Sequence, residues 1–227
     1  MRKRFYEVLL GNELNEKDNG LFRQVSILRQ ELIKLLPERH IKWLADGQDK
    51  FIKYGIMEEI KYKISGEIPS LKVYEIIREY TVGITGCIYM IDLGVGFSLP
   101  QDIHDHPAMI KLRVLLCRIM SWQNDLYSLP KELSKSNEVL NIVFVLQGEF
   151  NISFNEALKR AKQMHDDDLE EFIAICDSLK HFSIYNDEVE EYIYNMKLMI
   201  SGCGQWYKEI TTRYFPGAYT GMIARNE

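Results

Sequence analysis

Apolar residues return every three to four positions along nearly the whole chain, and no stretch alternates with period two for long enough to make a strand. That pattern restricts the fold to packed helices, about seven or eight of them in an all-α arrangement. GLFRQVSILRQELIKLL puts Phe22, Val25, Leu28, Leu32 and Leu35 on one stripe, with Asp18 and Asn19 as a start signal. Ile41, Leu44, Ile52, Ile56, Ile60 and Ile64 continue the pattern until Gly66 and Pro69 stop it. A third helix is expected from about Leu71 to Leu93. A loop-like GVGFSLPQDIHDHP comes next, and a fourth helix starts near Pro107, a good first-turn proline. NEVLNIVFVLQGE is so apolar that it must be buried on several sides. Ser153 and Glu156 form a capping-box pattern. The last helix is expected from about Tyr185 to Thr212, before an irregular tail.

At 227 residues, with 46% hydrophobic and 27% charged residues, the chain can bury a substantial core. A net charge of −5 with no basic face argues against nucleic acid as a partner. No apolar run approaches the roughly 18 residues that span a bilayer, and no signal-peptide core precedes Glu7. Cys87, Cys117, Cys176 and Cys203 are widely spaced with no C-x-x-C pair, as expected of reduced, mostly buried thiols in a cytoplasmic chain. No repeat or linker divides the chain, so residues 1–227 read as a single domain.

The segment NDLYSLPKE falls on the fourth helix. Asn124, Ser128 and Glu132 stand at i, i+4 and i+8 and share one face over two turns. All three offer hard oxygen donors of the kind magnesium takes. Only Glu132 carries charge, so such a site needs an anionic partner, and a diphosphate provides one. Lys131 returns to nearly the angular position of Asn124 and can meet that anion.

These residues resemble a family. Asn124, Asp125, Ser128, Lys131 and Glu132 match every position of the N-D-x-x-S-x-x-K-E metal motif of microbial class I terpene synthases. Arg78 in IIREYTVG lies 46 residues before Asn124, where the family keeps a diphosphate-sensing arginine at a helix break. The same match makes Thr81 the linker and the Val82 carbonyl the effector. Gly83 and Gly86 suit a helix bent or unwound there. Arg213-Tyr214 matches the pair that hydrogen-bonds the diphosphate on closure. The resemblance covers about Gly11 to Tyr219. It implies a helical bundle, Mg2+ as cofactor, an isoprenyl diphosphate as substrate and a cyclised terpene as product. Trp122, Trp206, Tyr89 and Phe97 read either as the aromatic contour of a hydrocarbon pocket or as plain core.

The family's aspartate-rich motif would fall before Met1, so the domain reads as N-terminally incomplete. The expectation is an open apolar wall, a homodimer or a partner chain that supplies the missing helices, and little turnover by this chain alone. Asp46, Asp49 and Asp92 are the first candidates for a substitute acidic group. A non-catalytic homologue that binds diphosphate or a partner chain is the alternative. A chain-elongating prenyltransferase is weaker, since such enzymes carry a second aspartate-rich motif where Asn124 to Glu132 stands. HDDDLEEF (residues 165–172) reads as a solvated acidic face, and His104 and His106 of IHDH as a solvated loop. Pro130 forfeits a helical hydrogen bond, so the helix either kinks between Ser128 and Glu132 or ends soon after Glu132.

Overall fold

A computed structural model describes residues 1–135 and 138–214, and every regular element among them is helical. The elements are α1 (Arg2–Leu9), α2 (Gly20–Leu32), α3 (Glu38–Lys50), α4 (Met57–Ser65), α5 (Leu71–Thr81), α6 (Ile84–Ile88), α7 (Ile91–Val95), α8 (Gln101–His104), α9 (Pro107–Leu133), α10 (Ile142–Phe150), α11 (Phe154–Leu179) and α12 (Asp187–Gln205). A π-turn, Phe51–Ile56, joins α3 to α4, and a second, Trp206–Ile210, extends α12.

The 27-residue α9 is the axis of the fold. Its Met109, Leu112, Leu115, Leu116 and Ile119 are fully buried against α11 and α12, where Phe172, Leu179, Val189 and Met196 complete the largest apolar cluster. Each such side chain contributes roughly 1.5–3 kcal/mol of burial. A second cluster gathers Tyr74, Trp122 and the apolar α10, and a third joins α1, α2 and α3. The expected starts hold where a side chain can reach a free backbone N–H. Asn19 accepts from Leu21 and Phe22, and Ser153 with Glu156 closes the capping box.

Several expectations are corrected. Leu28 and Leu35 face solvent, and so do Ile60 and Ile64. The π-turn holds one residue more than an α-turn and rotates the next helix by about 100°. The buried positions therefore become Gly55 and Glu59. The helix expected over 71–93 is three helices, broken after Thr81 and again at Tyr89–Met90. Gly83 supplies the first break, with φ +75°, a conformation that a Cβ penalises. Gly86 is not unwound. It sits inside α6, where a Cβ would come within 2.9 Å of Gln48 Nε2. The last helix gives way to its π-turn at Trp206.

His104 lies on α8, not in a solvated loop, and is buried against Trp43 and Tyr192. His106 caps α9. Asp166 and Asp167 are exposed as expected, but Asp168 is buried and accepts from Trp122 Nε1 (2.8 Å) and Arg118 Nε (3.0 Å). The helix runs through Pro130 and ends at Leu133, one residue beyond Glu132. Residues 215–219 of the resemblance lie outside the described residues. Among the described residues no helix is long and apolar enough to cross a membrane.

Candidate active site

Where α5 breaks, its last turn faces the C-terminal half of α9. Between them lies a cavity of about 260 Å³ lined by Arg78, Thr81, Val82, Asn124, Ser128, Lys131, Glu132, Arg213 and Tyr214. All nine residues to which the resemblance gives a metal, diphosphate or sensing role therefore meet at one place. Four more line it that the motifs do not mark: Ile84, Met120, Cys203 and Tyr207.

Arg78 is positioned by the groups around its guanidinium. Nη2 donates to Asp125 Oδ1 (2.7 Å) and to Asn124 Oδ1 (3.1 Å), and Nη1 donates to Thr81 Oγ1 (3.1 Å). Burial works against the charge on Arg78, yet the acidic groups around it, Asp125 first and then Tyr74, Glu59 and Glu132, together outweigh it and hold the guanidinium above its ordinary pKa. Asp125 itself does not line the cavity. Its Oδ2 accepts from Tyr74 Oη (2.6 Å) and from the Ile142 N–H (3.1 Å). Ser121 Oγ lies 2.7 Å from the Cys117 carbonyl and 3.2 Å from the Arg78 carbonyl, and Arg78 Nη2 donates to the Ser121 carbonyl (3.4 Å), which ties α9 to α5. The second motif position is thus a buried anchor that fixes the arginine.

The three candidate metal donors are held differently. Asn124 Nδ2 donates to Tyr207 Oη (2.9 Å) and Tyr214 Oη (3.1 Å), which leaves Oδ1 as the acceptor directed at Arg78. Ser128 is buried at 1% exposure, and its hydroxyl reaches back to the Asp125 carbonyl at 3.4 Å. Glu132 Oε2 accepts from Asn141 Nδ2 (2.7 Å). Burial pushes the Glu132 carboxyl above its ordinary pKa, against the hydrogen bond from Asn141. A buried carboxylate among neutral oxygen donors is a place where a divalent cation fits. Lys131 sits 5.5 Å from the centroid of the Tyr214 ring, and Arg213 sits 5.8 Å from it, so both cations gather around one aromatic ring.

None of the four aromatic candidates is among the cavity's lining residues. Trp122 is fully buried, stacks near Tyr74 and is held by Asp168, so it is core. Tyr89 stacks on Trp43, and Phe97 packs on the large apolar cluster. Trp206 packs edge-on against Tyr207, which does line the cavity. Asp46 and Asp49 are paired with Lys42, Tyr6 and Arg2, away from the cavity residues. Asp92 is enclosed by His40 and His104.

Residues 2–171 match the family described as terpene synthase family 2, C-terminal metal binding. The chain belongs to that family. Germacrene A synthase of Nostoc punctiforme is 29% identical over 212 residues, which cover 91% of this chain and 64% of that protein. The (+)-T-muurolol synthase of Roseiflexus castenholzii, described as cyclising (2E,6E)-farnesyl diphosphate, is 24% identical over 217 residues, 95% of this chain and 66% of that protein. The chain thus spans just under two thirds of these terpene synthases. The crystal structure of 2-methylisoborneol synthase from Streptomyces coelicolor, in complex with Mg2+ and geranyl-S-thiolodiphosphate, superposes with a TM-score of 0.79 at 17% identity. It covers 93% of this chain and 69% of that one. The fold is therefore that of class I terpene synthases.

Proposed function

We propose that this terpene synthase family member works with magnesium on an isoprenyl diphosphate, ionising it as the first step toward a cyclised terpene. One observation carries this reading. The motif oxygens, the arginine at the α5 break and the Arg213-Tyr214 pair all line one small polar cavity. In it, Asn124, Ser128 and Glu132 would hold the metal, while Arg78, Lys131, Arg213 and Tyr214 would take the diphosphate. Bound there, magnesium would supply Lewis-acid neutralisation of the leaving diphosphate.

The residues of the chain account for the rest. As the allylic C–O bond breaks, its electron pair moves to the diphosphate oxygen, and an allylic cation remains. Fixed cationic groups aimed at that oxygen favour the charge that develops. Arg78 is held charged and oriented by Asp125 before any substrate arrives, so little reorganisation is needed. Thr81 is hydrogen-bonded to Arg78 and adjoins Val82 at the helix break. A shift of the guanidinium toward the diphosphate would therefore be passed to the Val82 carbonyl.

A binding-only role is favoured by one observation. A cavity of about 260 Å³ suits a diphosphate but falls below the roughly 300–1,000 Å³ of whole-ligand pockets. The hydrocarbon wall would come from residues outside those described, or from a second copy or a partner chain. Calorimetry with pyrophosphate separates the possibilities. Affinity should rise at least ~10-fold with magnesium, since each ligand neutralises the other. Equal affinity with and without magnesium would overturn the site. Binding without product from geranyl, farnesyl or geranylgeranyl diphosphate, assayed by gas chromatography, would leave the binding role alone. Cyclised product would establish catalysis.

A further inference from the structure

A second cluster of chemistry lies in the interior between α3, α7 and α8. His40, Asp92 and His104 are buried at 1%, 2% and 2% exposure, and one ligand atom from each falls within 4.8 Å of the other two. Two imidazoles converge on a single oxygen. His40 Nε2 meets Asp92 Oδ2 in a close contact, and His104 Nε2 lies 3.4 Å from the same atom. The other carboxylate oxygen, Asp92 Oδ1, is buried without a hydrogen-bond partner, and so are both ring nitrogens of His104. Orphaned buried polar atoms are few in folded proteins and carry a real desolvation cost. Here the donor atoms crowd toward one point.

We propose that His40, Asp92 and His104 form a buried structural site for one zinc-class transition-metal ion. Tetrahedral zinc with ligand bonds of 2.0–2.1 Å separates its donor atoms by about 3.3–3.4 Å. His104 Nε2 and Asp92 Oδ2 stand at 3.4 Å, and Ser98 Oγ stands 3.2 Å from His40 Nε2 as a fourth donor, whereas His40 Nε2 and Asp92 Oδ2 are in direct contact and would have to part to admit the ion. Arg39 donates to Ser98 Oγ and to the Leu99 carbonyl, holding that hydroxyl in place. Two imidazoles and one carboxylate select zinc or a neighbouring transition ion over magnesium, which asks for an octahedron of oxygens. Its His40, Asp92 and His104 are buried, and the site shares no residue with the cavity of Asn124, Ser128 and Glu132. Its role would be to fasten α7, of five residues, and α8, of four, to the longer α3.

The test uses tag-free chain stripped with a chelator and then supplied with zinc in excess magnesium. One zinc should remain per chain after desalting. The melting midpoint should rise by roughly 5–10 °C at free zinc ~100-fold above Kd. Asp92→Asn and His104→Gln should lower zinc retention at least ~10-fold and abolish the shift. Should those variants not fold, Trp43 provides an independent reading. Its ring lies 4.6 Å from both histidine rings, so cobalt should quench its emission in the native chain. Trp43→Phe keeps every ligand and should remove that quench. Substoichiometric zinc with no thermal shift in the native chain would overturn the proposal. So would equal zinc retention in folded variants, or a cobalt quench unchanged in Trp43→Phe.

Discussion

Two buried aspartates anchor this molecule, and they are treated in opposite ways. Asp125 divides its partners between its two oxygens: Arg78 on one, Tyr74 and the Ile142 amide on the other. Asp92 has both histidines on Oδ2 and none on Oδ1. A carboxylate bonded on both sides is finished, and it can serve only to hold its neighbour still. A carboxylate crowded on one side keeps its other oxygen open to a further partner. Burial alone does not distinguish a scaffold from a site; the distribution of partners does.

The largest effect should come from breaking the finished pair. Asp125→Ala leaves Arg78 buried and uncompensated, and should cost about 3–5 kcal/mol of stability, read from urea unfolding. Asp92→Asn in the metal-free chain should cost well under that. An equal loss would erase the contrast. Next comes the geometry of the fork. Arg78→Lys keeps charge but cannot serve Asp125, Asn124 and Thr81 together, so magnesium-linked pyrophosphate affinity should fall roughly 10–100-fold. Calorimetry on the folded variant checks it.

Glu132 tests whether the cavity trades stability for binding. Burial raises its folded pKa above the ordinary 4.5. The protonated form therefore stabilises the fold fully below the unfolded pKa, and that stabilisation is lost as pH rises through the folded value. Glu132→Gln cannot ionise. It should match the native chain near pH 4 and be the more stable of the two at pH 8, while losing the magnesium dependence of pyrophosphate binding. Melting curves at both pH values decide this. The smallest effect belongs to Tyr207→Phe, which removes one acceptor from Asn124 Nδ2 and should cost about 0.5–1.5 kcal/mol, measured by thermal melting with magnesium and pyrophosphate absent.

The relations legible in the sequence were those between residues a few positions apart. Asn124, Ser128 and Glu132 share a face because one helix carries them, and the Asn19 and Ser153 caps need only a neighbouring amide. Arg78 came from resemblance, since nothing local separates it from a surface arginine. Tyr207 stayed hidden: it joins Asn124 across 83 positions, through a π-turn that leaves no periodic trace. Asp168 read as one carboxylate in a solvated run, because its burial depends on Trp122 and Arg118 from another helix. His40 and Asp92 are 52 positions apart, and no motif spacing announces such a pair. Helical periodicity states which face is buried, not which helix buries it.

The π-turn at Phe51–Ile56 brings Gly55 against α5 so closely that a Cβ there would lie 2.8 Å from Thr81 Cγ2. A π-turn is an α-helix carrying one residue too many, which makes this stretch a reading-frame device written in protein. Deleting any single residue between 51 and 56 would restore an ordinary helix and turn Met57–Ser65 by about 100°. Glu59, whose charge supports Arg78, would swing out of range, and the flat backbone beneath Thr81 would be replaced by a side chain. The helix would survive the edit, and the arginine would lose its setting. Length variation in this segment across related chains should therefore track the setting of Arg78, though none of its residues lines the cavity.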